Sequence, residues 1–400
     1  MQHWSTAEDS AEGMLIHLLA HSNPFIGFGN HALNLCQQLK PLTAGAKIEL
    51  IITDPYNKES LENSVKQLNT VGNQKSIVNI MLGDGKTSHQ FLNLFPGEKA
   101  TYTVFESDLL PIGWKENLEQ SDLILTASQW GADIIRREIP GKSIEVIPEG
   151  VDIALYHQWN RPTDLKPWSR ASNASDAFEN CFNFLSIGKF EARKSFEELI
   201  EAYTTSFADK PDTRLLLRLH NVFRDGYMDE VNRLIPAELR SQILIIKGSQ
   251  NGSMLSPEQM AHLHRISHCF VYPSKGEGWG LPLIEAISSG TPFLATHYSG
   301  QTEYLRYCQQ SFSKIKFDIQ TIADPDFFKF HKFRSDAMPC WAIPQAQSIG
   351  ENMKNIYENW HAIRQQAKTN ADAIHRNFSW DISAKIFLDK VLAHFQTSNR

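Results

Sequence analysis

The residues best suited to chemistry lie at 274–290, Ser-Lys-Gly-Glu-Gly-Trp-Gly-Leu-Pro-Leu-Ile-Glu-Ala-Ile-Ser-Ser-Gly, which follows an apolar run and leads into a short helical pattern. Pro282 suits the first helical position, where a missing N–H costs nothing, and Gly290 suits the exit. Gly276, Gly278 and Gly280 let backbone approach a ligand closely. The amides of Leu281, Leu283 and Ile284 then point from a helix N-terminus at an anion, most naturally a phosphate. Glu277 and Glu285 bracket the turn with seven residues between them. A carboxylate accepts from paired hydroxyls, so Glu285 can hold a ribose diol and Glu277 the hydroxyls of a sugar beyond the phosphates. The alternative for Glu285 is a solubilising carboxylate favoured by the helix dipole.

A second cationic element precedes it. The apolar run 182–187 ends in Gly188-Lys189-Phe190-Glu191-Ala192-Arg193-Lys194, followed by a helical pattern. Lys189 and Lys194 flank a tight turn at the carboxyl end of a strand, where positive charge would meet a diphosphate; the alternative is a solvated basic turn. Arg193 between them is expected to face water or another domain. Gly27 and Gly29, in Gly-Phe-Gly-Asn-His-Ala, imitate a dinucleotide fingerprint, with Asp54 ending the second strand. The first strand ends near Ala20, too far from Gly27 for a dinucleotide turn. A looser glycine loop over a donor phosphate or an acceptor fits better than a dehydrogenase. The acid pairs Glu106/Asp108 and Asp324/Asp326 are too short a pattern to signal a metal site, and no histidine spacing suits a metal ligand set. His297, after a strand end, is expected to be packed or exposed.

These loops require strands to carry them. Short apolar runs at 14–20, 47–53, 76–82, 100–105, 123–127 and 144–148, and again at 182–187, 213–219, 242–247, 269–273 and 291–296, alternate with helical patterns. Helices are expected at 30–39, 129–138, 195–207, 227–235, 257–267, 282–289, 347–376 and 380–396. Runs apolar at nearly every position suit strands buried on both faces. The alternation predicts an α/β protein of two doubly wound Rossmann-like domains facing each other across a cleft. Residues 1–156 form the first, completed by a C-terminal helix over 381–400; 157–181 is a linker or surface excursion; 182–380 form the second. Residues 315–345 are aromatic and proline-marked, with no clear period.

Composition narrows the function classes. Lys and Arg number 39 against 45 Asp and Glu, a net charge of −6, which argues against a nucleic-acid partner. No run reaches the ~18 apolar residues of a membrane helix. Residues 14–20 follow an acidic segment and read as a strand, not a leader. Five scattered cysteines without a CxxC pair suit buried thiols in a reducing cytoplasm and argue against zinc. Arg136, Arg137 and Lys142 offer a small basic patch for peripheral contact with the inner face of a membrane.

The string EGWGLPLIEA followed by SSGTPFLATHYSGQTEYL resembles the donor-site signature of retaining glycosyltransferases of the GT-B fold, glycosyltransferase family four. GKFEARKSFEELIEAY resembles that family's basic turn. SDLILTASQWGADII and IEVIPEGVD are similar to its last first-domain strands and hinge approach. TVFESDLLPIGW resembles a subset carrying Glu-x-Asp where many relatives carry a histidine. The resemblance implies a nucleotide diphosphate sugar as donor substrate, with no separate cofactor and no metal. Glu277 then contacts the donor sugar, Glu285 the ribose, and Lys189 and Lys194 the diphosphate. Gly278, Trp279, Gly280, Leu281 and Leu283 line the donor; Glu106 is a further catalytic candidate, which with Asp108 could reach the reacting sugar; Gly27, Gly29 and the loop after 105 lie toward the acceptor, with Phe25, Phe28 and Trp114 as an apolar wall or as core. The acceptor class is a glycan, a lipid-linked sugar or a small molecule. A sugar-nucleotide epimerase and a non-catalytic sugar-nucleotide binder share this architecture and stand as alternatives.

Overall fold

The computed structural model describes residues 13–23, 27–44, 47–70, 76–158, 181–221, 226–246, 255–309 and 314–397. Phe25 and nearly all of the 157–181 connection lie outside the described residues. In the first domain β1 (Met14–Ala20), β2 (Ile48–Thr53), β3 (Ser76–Leu82), β4 (Glu98–Tyr102), β5 (Leu123–Thr126) and β6 (Ile144–Val146) form a parallel sheet ordered β2-β1-β3-β4-β5-β6. Helices α1 (Gly27–Thr43), α2 (Lys58–Thr70), α3 (Ser88–Leu92), α4 (Trp114–Leu118) and α5 (Gln129–Glu138) connect them. Every residue of β1 is buried, as a central parallel strand demands. Its one polar member, His17, is satisfied across the sheet by Asn79 Oδ1 at 2.9 Å and Thr53 Oγ1 at 2.7 Å. Burial holds His17 near pKa 4, so it is a neutral structural histidine.

The second domain repeats the plan with β7 (Phe182–Lys189), β8 (Thr213–His220), β9 (Ile243–Ile245), β10 (Cys269–Tyr272) and β11 (Phe293–Ala295), parallel and ordered β11-β10-β7-β8-β9. Its helices are α6 (Phe196–Phe207), α7 (Tyr227–Leu234), α8 (Pro257–Ile266), α9 (Leu281–Ser288) and α10 (Thr302–Leu305). The order reverses direction between β7 and β10, the switch point at which α/β sheets open a crevice beyond their carboxyl ends. The loops 189–195 and 273–280 leave these two strands side by side, which is what brings the two sequence motifs together.

Three features depart from expectation. Helix α1 begins at Gly27, so Gly27 and Gly29 belong to its first turn and not to a loose loop. Gly29 is required there, because a Cβ would lie 1.8 Å from the Asn23 carbonyl oxygen. The aromatic stretch after 315 is an antiparallel hairpin, β12 (Phe317–Thr321) and β13 (Cys340–Pro344), with α11 (Pro325–Phe330) between its strands. The long helix over 347–376 is two, α12 (Ala346–Glu358) and α13 (Trp360–Asn377), broken at Asn359. The chain then returns through α14 (Trp380–Thr397), which packs on α1 of the first domain. One apolar cluster runs from Leu18 and Leu35 through Trp279 and Leu283 to Phe378 and Phe387, joining both domains.

Candidate active site

Glu277 lies in the loop after β10 and is 4% exposed. Its Oε1 accepts from Lys194 Nζ at 2.6 Å, from the Tyr272 hydroxyl at 2.8 Å and from Ser274. Its Oε2 meets Arg193 Nη1 at 2.8 Å, and its backbone N–H donates to Ser299 Oγ at 2.8 Å. Burial pushes this carboxyl up, but Arg193 and Lys194 outweigh burial and hold it near pKa 2. Both oxygens are engaged by protein donors, so Glu277 enters the site first as the anion that fixes two cations.

Arg193 is the hub that sequence reasoning sent toward water or another domain. It is 6% exposed. Its guanidinium contacts Glu106 at 2.7 Å, Glu191 at 2.6 Å and Glu277 at 2.8 Å, and donates to the Gly276 carbonyl at 2.7 Å. Burial opposes its charge; Glu106, Glu277 and Glu191 outweigh that and keep it ionised. Its partner Glu106 comes from the loop after β4, so the contact with the other domain is real and the contact with water is not. Arg193 was hidden because its partners sit on three separate loops that only the fold assembles.

The two lysines of the turn are both paired. Lys189 Nζ meets Glu191 Oε2 at 2.9 Å, and Lys194 Nζ also touches the Tyr272 hydroxyl at 3.0 Å. Burial lowers the Lys194 ammonium from its ordinary range, against the pull of Glu277. The acid pair Glu106/Asp108 splits in role. Asp108 Oδ1 accepts the Cys340 N–H at 2.6 Å, tying the hairpin to the first domain. The Glu106 carboxylate faces Arg193, while its carbonyl accepts the Trp341 indole N–H at 2.7 Å.

Glu285, one helix turn into α9, lies apart from this network. It neighbours Tyr156 and stands 4.0 Å from His264 Nε2. Burial raises its carboxyl to about 8, so at neutral pH it is largely protonated. The helix entrance also differs from expectation. The Leu283 and Ile284 amides both donate to the Gly280 carbonyl, at 3.0 and 3.4 Å. They are therefore used within the helix and do not point at an anion. The closeness of Gly276 and Gly278 serves protein neighbours: a Cβ at Gly276 would lie 2.9 Å from the Glu106 carbonyl, and one at Gly278 would lie 2.7 Å from Val104 Cβ. Trp279 is buried with its ring on Tyr304 at 5.1 Å, so its ring is core. Trp114 is likewise core, edge-on to Phe105 at 6.0 Å, and not an exposed wall. Phe28, in the first turn of α1, is half-buried. His297 is half-buried beside Lys314 Nζ at 3.3 Å.

The basic patch is engaged within the protein. Arg136 pairs with Asp133 at 3.0 Å, Arg137 with Glu138 at 3.7 Å, and Lys142 donates to the Ser121 carbonyl at 3.1 Å. Among the described residues no helix is long and apolar enough to cross a membrane.

Residues 170–324 match the family model described as glycosyl transferases group 1. The chain is 26% identical over 254 residues to the O-antigen chain mannosyltransferase B of Escherichia coli, covering 61% of this chain and 59% of that protein. It is 27% identical over 236 residues to the D-inositol 3-phosphate glycosyltransferase of Rhodococcus jostii (strain RHA1), covering 59% of this chain and 47% of that protein. The matches thus span less than two thirds of these relatives' own lengths. Anabaena HepE, solved in complex with UDP and glucose, shares the fold at TM-score 0.63 and 13% identity, over 95% of this chain and 100% of that one.

Proposed function

From the premise that this is a group 1 glycosyltransferase of the GT-B fold, we propose that it transfers a hexose from a nucleotide diphosphate sugar to a glycan, lipid-linked or small acceptor, with retention of configuration and without a metal. The observation that carries this reading is the joining of Lys194, Arg193 and Glu277 beyond β7 and β10, with Glu106 delivered to the same point from the first domain. Cations at that place stabilise the charge that grows on a departing diphosphate. Lys189 and Lys194 take this role, drawing on ammonium groups that Glu191 and Glu277 already hold in position. Glu285 takes the ribose. Its raised pKa makes it a partner that both donates and accepts at neutral pH.

The engagement of the carboxylates supports retention by same-face attack, because an inverting transfer needs a general base free to deprotonate the acceptor. A double displacement needs an unencumbered carboxylate nucleophile. Glu106 is held by Arg193, Asp108 by the Cys340 amide and Glu277 by four side chains. Departure of the diphosphate toward the cations, with the acceptor entering on the same face, then favours a product of unchanged anomeric configuration. The mannosyltransferase among its relatives makes a mannose donor the first to try.

The test is release of nucleoside diphosphate from a donor panel including GDP-mannose and UDP-sugars. Release that depends on acceptor supports transfer; donor rearrangement without acceptor points to an epimerase, and binding without turnover to a sensor. Proton NMR of the first-formed product reads configuration, and a β-anomer from an α-donor overturns retention. Turnover is expected to persist in chelator; loss restored by magnesium or manganese overturns metal independence.

A further inference from the structure

A cavity of about 700 Å³ opens beside the Arg193 network, between the turn after β7, the start of α6 and the β12–α11–β13 hairpin. That volume is within the ~300–1,000 Å³ of small-ligand sites. It lies on the side of the second sheet where α6 packs on α12, whereas Glu285 and His264 occupy the side of α8 and α9. Its floor reaches Glu106 and Arg193, so a ligand held here would have one end at the reacting centre.

Charge decides the class of ligand. Among the described residues the lining carries seven carboxylates, including Glu197, Asp324 and Asp326, against four lysine and arginine cations. Three of those cations are matched inside the wall: Lys189 by Glu191, Lys275 by Glu198 at 2.7 Å and Lys329 by Asp326 at 2.6 Å. Burial lowers the pKa of His331, leaving it neutral. A phosphate would meet net negative charge here. A neutral polyol would find acceptors for its hydroxyls.

The hairpin supplies flat apolar faces. Helix α11 has no buried residue although it carries Phe327, Phe328 and Phe330, and Phe330 is 66% exposed. Phe327 is braced edge-on against Trp341 at 5.0 Å and stacked near Phe333 at 5.9 Å. A contiguous patch of partly and fully exposed rings, unlike a single exposed apolar residue, marks a surface that binds something. Rings beside carboxylates match a pyranose, which presents C–H faces and equatorial hydroxyls together.

We infer that this hairpin-roofed cavity binds sugar units of a neutral glycan acceptor, resting on the transferase reading above. Phe327 and Phe330 cover pyranose faces, and Glu197 and Asp324 receive hydroxyls, so that the acceptor's terminal sugar is led to Glu106 and Arg193. Lys189, on the rim that the cavity shares with the basic turn, stays with the donor diphosphate, and the sugar units lie beyond it toward Glu197, Asp324 and the hairpin.

The experiment uses the full chain and saturation-transfer NMR with α-1,2-mannobiose and maltotriose as probes and pyrophosphate as anionic competitor. Saturation should reach ring protons of at least one sugar. Phe330→Ala and Phe327→Ala should each weaken that sugar at least tenfold, and pyrophosphate should not displace it. Phe330 is exposed, so its loss should leave the melting temperature unchanged. No saturation from either sugar, equal affinity in both variants, or displacement by pyrophosphate would each overturn the inference. Failure of the whole donor panel to be hydrolysed or transferred would instead remove the transferase reading, whatever the sugars do.

Discussion

Arg193 shows what one buried residue can hold together. It contacts three carboxylates contributed by the first domain, the basic turn and the loop after β10. Removing one partner of a buried ion pair leaves uncompensated charge and costs about 3–5 kcal/mol. Arg193→Ala should therefore lower the unfolding free energy by about that amount and abolish turnover, whereas Arg193→Lys should recover part of the stability and little of the rate, because the planar fork is lost. Denaturant unfolding with initial rates checks both; a stable, inactive Arg193→Ala would show that the network is catalytic but not structural.

The buried acids and bases also set a pH profile. Burial raises Glu149 and Glu285 to about 8 from an ordinary 4.5. Each keeps its proton in the folded state while the unfolded chain has lost it, so their contribution is complete below 4.5 and disappears as pH rises to about 8. Burial lowers His31 and His264 to about 3, and His17 and His220 to about 4, from 6.5. Their contribution is complete above 6.5 and is lost on acidification. The melting temperature should thus peak near pH 6.5 and fall toward pH 8. In the double variant Glu149→Gln/Glu285→Gln the alkaline fall should flatten. A profile that stays steep in that variant assigns the fall to other groups.

At the scale of elements, what was legible tracks burial. The strands β1, β3, β7 and β8 are buried at nearly every position, and their apolar runs announced them. The hairpin was not legible, because β12 is mostly exposed and its alternation of Phe317 and Ile319 with polar residues spans only five positions. The break at Asn359 carries neither proline nor glycine. The glycine loop was legible as a site but not in its contacts. A Cβ at Gly300 would lie 2.0 Å from the Gly278 carbonyl oxygen and 2.8 Å from that of Glu277. Backbone cannot yield there as a flexible side chain does. Gly300→Ala should displace the loop that carries Glu277 and loosen its grip on Lys194. Turnover should fall by about a hundredfold, the loss expected when one charge-stabilising donor is misplaced, while the Cys340–Asp108 contact and overall helicity persist. Circular dichroism with single-turnover rates separates this from global unfolding; a normal rate would place the loop outside the chemistry.

Across the whole molecule, the second domain is tied to the first on both sides of the cleft. On one side Gln129 donates its backbone N–H to Glu303 at 2.7 Å, and Gly278 abuts Val104. On the other the hairpin is stitched to 106–112: the Ile112 N–H donates to the Lys332 carbonyl at 2.7 Å, the Cys340 N–H to Asp108 at 2.6 Å, and the Trp341 indole to the Glu106 carbonyl at 2.7 Å. In the sequence Glu106 and Asp108 stand as one Glu-x-Asp pair, yet the fold divides them, one to Arg193 and one to the hairpin. A closed cleft excludes water and so limits hydrolysis of a bound donor. Asp108→Ala removes one charge-assisted stitch, worth about 1.5–3 kcal/mol, without touching Arg193. The cleft should open more often. Donor hydrolysis without acceptor should rise severalfold, and transfer at saturating acceptor should fall, so the ratio of the two moves in one direction. If Asp108 instead served as the nucleophile, both activities would vanish together. Measuring sugar release and transfer product in the same reaction distinguishes a group that keeps water out from a group that attacks.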